Sequence, residues 1–300
     1  MVTRGASKLT LEERKKLAES LDDPLNRWYR YPIARSLLHV LGGLPLRPDH
    51  ITYIHICFGL AAAGLVAHGD RWALIVAFFA LEIRDILDCY DGVLARAKNM
   101  SSPRGRALDE TADAVSFIAL TIALAIYGVR HKPEIPIELY GAFAMFGVIV
   151  GAYAAHGCDF YKRRVGSALK EGRDVVHEEL EAKRAQARAS KAGALTNASI
   201  WADRWSYVYW DPKYANGDPV GTVLARAHRP GVRLLTRFVG LMSWDNGIFV
   251  IHLGLLTGFV LESWALSVAY GLGAIVIGRV IATFALGGTV KGETAPAKSE

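Results

Sequence analysis

The sequence predicts an all-α integral membrane protein with six transmembrane helices, an N-terminal juxtamembrane helix and an active-site cavity facing the cytoplasm. Three observations carry this. Apolar runs of about twenty residues, long enough to cross a hydrocarbon core at 1.5 Å per residue, recur near residues 50–69, 71–93, 107–128, 136–160, 244–263 and 264–287. Lys and Arg crowd into the segments on one side of these runs. Four aspartates at helical spacing interrupt the second and third runs, where unpaired charge beside lipid is costly. The hydrophobic content of 52% would also suit a globular enzyme, so distribution rather than composition decides the class.

Taken in order, residues 1–47 form a cytoplasmic and juxtamembrane segment. Thr10-Leu11-Glu12-Glu13 has the form of a capping box and starts a polar helix. Arg27-Trp28-Tyr29-Arg30-Tyr31 mixes aromatics and cations as a headgroup region favours. The charged N-terminus has no short apolar core with a cleavage site, so no secretory signal is expected. Residues 48–161 carry the first four spans. Ser102 and Pro103 supply an N-cap and first helical residue for the third. Gly147-x-x-x-Gly151, with Ala155, gives the fourth a small-residue face that suits packing within one subunit or between two copies equally. Residues 162–243 read as a cytoplasmic, interfacial insertion in which a charged helix precedes an aromatic stretch. There Trp201, Trp205, Tyr207, Tyr209 and Trp210 are placed to rest on headgroups. Residues 244–287 hold the last two spans, and 288–300 form a cytoplasmic tail.

Six spans place both tails on one side, together with the loops after the second and fourth spans. Of the 35 Lys and Arg, all but Arg71, Arg130, Lys132 and the intraspan Arg84 fall on that side, with Arg279 grouped at its nearer end. That side is therefore cytoplasmic. Seventeen residues of helix separate Arg71 from Asp88, about 26 Å, so the acids lie near the cytoplasmic edge of a core about 30 Å thick. A cavity open to water there removes the cost of burying them. The net charge of +6 is then explained by anionic lipid rather than nucleic acid, for which no suitable fold or motif is present.

The acids belong to one pattern: Asp88-x-x-Asp91-Gly92-x-x-Ala95-Arg96, eight further residues, then Gly105-x-x-x-Asp109-x-x-x-Asp113. Eight positions at fixed spacing arise by chance on the order of once in ten million chains of this length, with each residue type at about one in fifteen. Steps of three and four put each acidic pair on one face of its helix. Like charges this close need a cation between them, and four carboxylates without a neighbouring His or Cys ligand suit Mg2+ or Mn2+ rather than zinc. Gly92 and Ala95 leave the same stripe almost bare of side chains, and Gly105 repeats this on the second helix. A flat group such as a nucleotide could enter the slot between them. Arg96 adds a donor fork suited to phosphate oxygens.

The string DCYDGVLAR followed by GRALDETAD resembles the signature of the CDP-alcohol phosphotransferase (CDP-alcohol phosphatidyltransferase) family of integral membrane enzymes, over roughly residues 44–161. Pro48-Asp49-His50-Ile51-Thr52 looks like the family's Pro-Asn-x-x-Thr start of its first membrane helix, with Asp49 in place of Asn. The resemblance implies that Asp88, Asp91 and Asp109 bind metal and that Asp113 completes the metal site, of two divalent ions, or acts as general base. It implies that Gly92, Ala95, Arg96 and Gly105 shape the nucleotide site. Relatives with phosphorylated acceptors carry basic residues at positions comparable to Lys162, Arg163 and Arg279, which otherwise read as positive-inside anchors and a snorkelling arginine. It further implies a homodimer.

The implied reaction moves a phosphatidyl group from CDP-diacylglycerol to the hydroxyl of a small polar alcohol, such as an inositol phosphate, glycerol phosphate or serine, and releases CMP. The same chemistry with a CDP-linked inositol, choline or ethanolamine as donor is the alternative. The stretch from Asn26-Arg27 to Pro48 is weakly similar to relatives that join inositol phosphates. A metal-dependent prenyl transferase would not need Gly-x-x-Ala-Arg at this spacing, and an ion transporter would show no nucleotide dependence. Arg84 and Asp85 lie beside the motif but outside it, and are expected to support rather than act. His55, His156 and His252 read as satisfied core residues, and Cys57, Cys89 and Cys158 offer no disulfide framework.

Overall fold

The computed structural model describes residues 8–189, 200, 204, 207–214 and 217–287. Its elements are α1 (Leu11–Glu19), a π-helical turn (Asn26–Arg30), α2 (Tyr31–Leu41), α3 (Pro48–His68), α4 (Arg71–Ala97), α5 (Pro103–His131), α6 (Ile137–Glu171) and α7 (Val175–Ala189). They continue as α8 (Pro219–Arg226), α9 (Pro230–Leu241), α10 (Trp244–Thr257) and α11 (Val260–Leu286). No strand occurs among the described residues; one isolated bridge joins Tyr214 and Gly287. The chain divides into two compact units, one of Pro24–Tyr153 with Trp244–Leu272, the other of Met1–Asp23, Ala154–Ser243 and Gly273–Glu300.

Helix starts follow local chemistry. Thr10 accepts from the Glu13 amide at 3.3 Å while the Glu13 carboxylate accepts from the Thr10 amide at 2.8 Å, the expected capping box. These bonds hold the Glu13 carboxyl below its usual pKa. Ser102 caps α5 by accepting from the Gly105 amide at 3.0 Å, with Pro103 next. Gly69, at φ 89°, ends α3 in the left-handed region that glycine tolerates.

In the first unit α3 packs between α4 and α5, α2 lies on α4, and α10 also packs on α4. Ala34, Ile51, Tyr90 and Leu94 form a buried cluster. Gly59 lets α3 and α5 approach, since a Cβ there would lie 2.6 Å from Ser116 Oγ. Gly147 and Gly151 of α6 are spent inside the unit: a Cβ on Gly151 would meet Trp244 at 2.6 Å, and one on Gly147 would meet Val268 at 3.2 Å. Ala155, on the same notional face, is exposed.

Four helical stretches are long and apolar enough to cross a bilayer: α3, Leu108–His131 of α5, α6 and α11. A fifth arises if α9 and α10, bent by 42° at their break, count as one span. Large apolar side chains such as Ile122, Met145, Ile149 and Val280 are exposed, as a lipid-facing surface requires. The expected last two spans meet elsewhere than supposed. Gly258, at φ 94°, ends α10 after Thr257 rather than at residue 263. At fourteen residues, α10 is about 21 Å long and too short to cross alone; an apolar run hides such a break because hydropathy does not register backbone conformation.

α6 runs on past Lys162, Arg163 and Arg164 to Glu171. In the second unit α1 packs on α9. Trp210 is fully buried, with Gly157 under its ring, instead of resting on headgroups. Tyr209 is partly exposed, and Trp201 and Trp205 lie outside the described residues. Arg30, expected among headgroups, is 2% exposed and paired with Asp85 at 2.5 Å, whereas its neighbour Trp28 is 77% exposed.

Candidate active site

Three helices of one unit supply the site. α3 contributes a stripe in steps of three and four: Asp49 at its first turn, then Thr52, His55 and Gly59. α4 contributes Asp88, Asp91, Gly92, Ala95 and Arg96 from its last three turns, and α5 contributes Gly105, Asp109 and Asp113 from its first three. The acidic end of α5 thus coincides with the positive end of its helix dipole.

A cavity of about 390 Å3 opens between them, lined by Asp49, Thr52, Asp91, Gly92, Ala95, Arg96, Ser102, Gly105 and Asp109 among others. All four residues expected to shape a nucleotide site line it. Their small size matters physically. A Cβ on Gly105 would lie 3.3 Å from Ser102 Oγ, and one on Gly92 would lie in contact with the Arg96 guanidinium at 3.4 Å, so substitution would fill the slot.

Of the four motif carboxylates, Asp91 and Asp109 line this cavity, and the acids gather with His55. Thr52 Oγ1 donates to Asp91 Oδ2 at 2.6 Å, fixing that carboxylate. One ligand atom from each of His55, Asp88, Asp109 and Asp113 lies within 4.8 Å of the others. Asp88 Oδ1 and Asp109 Oδ1 are buried and have no hydrogen-bond partner among the described residues. Buried carboxylate oxygens without donors are unstable as they stand, and a hard divalent cation satisfies them with the oxygen ligands it prefers. The donor set therefore fits the Mg2+ or Mn2+ that the motif implies.

Asp113 is held differently. Arg84 donates to it and also to Asp85 Oδ1 at 2.8 Å. Asp85 meets Arg30 at 2.5 Å, and Arg30 lies 3.9 Å from Glu82. Glu82 in turn bonds His252 Nδ1 at 2.6 Å. Asn26 donates to Asp245 at 2.8 Å beside this chain of charges. Glu82, Asp85 and His252 also form a possible ligand triad, but the Arg30 guanidinium already supplies its positive charge. The expectation that Arg84 and Asp85 support the motif matches this geometry, whereas His252 is satisfied at Nδ1 alone, its buried Nε2 having no hydrogen bond among the described residues.

His55 is the residue that sequence reasoning missed. It was expected to be a satisfied core histidine, yet it is fully buried with neither ring nitrogen hydrogen-bonded among the described residues. Its Nε2 faces Asp91 and Asp109 at 3.7 Å and Asp88 at 3.9 Å. The signal was present in the three-residue steps from Asp49 through Thr52 to His55, which share a helix face.

The basic residues proposed for an acceptor phosphate belong to the other unit and have partners there. Lys162 lies 3.7 Å from Asp22, Arg163 is paired with Glu179 and lies 3.3 Å from Asp159, and Arg279 donates to the Trp210 carbonyl at 3.2 Å. Arg279 also sits 5.8 Å from the centre of the Tyr209 ring.

Residues 46–168 match the family model described as CDP-alcohol phosphatidyltransferase. The chain is also similar to a Rubrobacter xylanophilus protein described as "Bifunctional IPC transferase and DIPP synthase", 32% identical over 96 residues. That alignment covers 32% of this chain and 21% of the relative, so the chain spans about a fifth of the length of the curated protein it matches. The matched region contains α3, α4 and α5 and every residue of the acidic cluster, so the similarity to CDP-alcohol phosphatidyltransferases lies in the helices that build the site.

Proposed function

We propose that the protein transfers a phosphatidyl group from CDP-diacylglycerol to the hydroxyl of a small polar alcohol and releases CMP. The observation that carries this reading is the bare-walled cavity of about 390 Å3 lined by Asp91 and by Asp109, whose buried Oδ1 has no hydrogen-bond partner among the described residues. A pyrimidine ring and diphosphate need such a slot, a cation at its end, and a donor fork at its rim. Arg96 supplies the fork.

Asp88, Asp91, Asp109 and Asp113 would hold two divalent ions, Mg2+ or Mn2+. When bound, these neutralise diphosphate charge and stabilise CMP as leaving group. Asp113, fixed by Arg84, takes the proton of the attacking hydroxyl as the new O–P bond forms and the P–O bond to CMP breaks. Lys162, Arg163 and Arg279 would receive an acceptor phosphate, such as that of an inositol or glycerol phosphate. The relative's name keeps a second reading in view, the same chemistry with a CDP-linked head group as donor.

In this reading six spans cross the bilayer: α3, α4, α5, α6, the bent pair of α9 and α10, and α11. α4 carries Glu82, Arg84, Asp85 and Asp88 within its apolar run, but its 27 residues reach about 40 Å, enough to cross. The basic segments put both tails and the cavity mouth at the cytoplasmic face, with α2 in the headgroup layer, and two copies form a homodimer. Purified protein incubated with Mg2+, labelled CDP-diacylglycerol and a panel of alcohols should release CMP with at least one acceptor. Release from a CDP-linked head group alone would select the second reading, and release from neither donor would reject both.

A further inference from the structure

We propose that His55 is a nitrogen ligand of the divalent metal site, so that the centre is a mixed carboxylate–imidazole one and favours Mn2+ over Mg2+. This rests on the reading above that the acidic cluster binds metal. The argument starts from burial. An imidazole sealed from water without hydrogen bonds loses its solvation and gains nothing, and His55 is 0% exposed with Nδ1 and Nε2 both unpartnered among the described residues.

Geometry says what the ring awaits. Nε2 stands 3.7 Å from Asp91 Oδ2, 3.7 Å from Asp109 Oδ1 and 3.9 Å from Asp88 Oδ1. Each separation is too long for a hydrogen bond. Atoms sharing an ion at about 2.1 Å are about 3.0 Å apart at right angles and about 4.2 Å apart when opposed. The observed distances fall between these limits. Two of the facing oxygens, on Asp88 and Asp109, are themselves without donors, so nitrogen and oxygens are unsatisfied toward the same point. A cation placed there answers all of them at once.

The chemical consequence is selectivity. Mg2+ prefers an all-oxygen shell, whereas imidazole strengthens binding along the series from Mn2+ toward Co2+ and Zn2+. The test uses the full-length protein in detergent, loaded with one equivalent of Mn2+ and measured by pulsed electron paramagnetic resonance. A nitrogen coupling is expected, and it should change to the 15N pattern when histidine is labelled with 15N. This readout needs no variant and no turnover. In His55→Asn the coupling should vanish while Mn2+ still binds, with the Mn2+/Mg2+ affinity ratio reduced by about tenfold or more. His252→Asn should leave the coupling in place.

Bound Mn2+ without nitrogen coupling in the wild type would overturn the assignment of His55 and leave the carboxylate metal site standing. So would a coupling that persists in His55→Asn. Failure of Mn2+ to bind the wild type at all would instead reject the metal site on which the assignment rests.

Discussion

Replacing Arg30 by Met tests whether the charge chain behind Asp113 is a structural necessity. Arg30 is buried and shared by Asp85 at 2.5 Å and Glu82 at 3.9 Å. Burial alone would discourage its charge, but these acids hold its pKa above the ordinary arginine value. Losing one partner of a buried pair costs about 3–5 kcal/mol because the other charge is left unanswered. Here the loss is partly cushioned: Asp85 keeps Arg84 at 2.8 Å, and Glu82 keeps His252 at 2.6 Å. The expected destabilisation therefore sits near the lower bound, about 3 kcal/mol, which corresponds to a fall in Tm of at least about 6 °C. Thermal unfolding of purified wild type, Arg30→Met and Arg30→Met/Asp85→Leu in one detergent would measure it. The double variant should recover part of the loss, because the stranded carboxylate is removed with its partner. An Arg30→Met protein melting within about 2 °C of wild type would refute the reasoning, since about 1 kcal/mol is too little for an uncompensated buried charge.

Other outcomes follow from the same geometry. Asp113→Asn should lower CMP release by about 10²–10⁴-fold, and Arg84→Gln should lower kcat more than it raises the donor KM, as steady-state kinetics would show. Thr52→Val removes a buried hydrogen bond to the Asp91 carboxylate, worth about 1.5–3 kcal/mol, and should weaken metal binding in a calorimetric titration. Gly59→Ala places a Cβ 2.6 Å from Ser116 Oγ and should destabilise the protein by about 1–3 kcal/mol, a loss that Ser116→Gly relieves in the melting curve. Glu13 has a lowered pKa through its Thr10 bonds. Its contribution to α1 is thus full above the ordinary carboxyl pKa and lost as pH falls through the depressed one, so amide protection factors in α1 should drop over that acidic window; Glu13→Gln should abolish the dependence.

Much of this protein was legible in one dimension because its signals are local and periodic. Capping at Thr10 and Ser102, the glycine end of α3 and the helical spacing of the acids each depend on residues within about one turn of one another. The small residues Gly92, Ala95 and Gly105 announced a slot because nothing else explains bare stripes beside carboxylates. The break at Gly258 was not legible, since an apolar run reads the same whether its backbone continues or turns. Trp210 and Arg30 misled for a related reason: an aromatic or a cation near a membrane end suits headgroups in general, and only a specific cavity or counter-ion reveals burial.

The sequence by itself determined the helical class, the acidic pattern and the donor types, because spacing fixes which side chains share a helix face. The tertiary structure decided which faces meet. It put His55, thirty-three residues before Asp88, against the motif, and it bound Arg84 to Asp113 across two helices. It also joined Arg30, Glu82, Asp85 and His252 behind them. Those contacts arise from the packing of α3, the π-helical turn and α10 on α4 and of α5 on α3, and helical periodicity states what a face carries without stating what lies opposite.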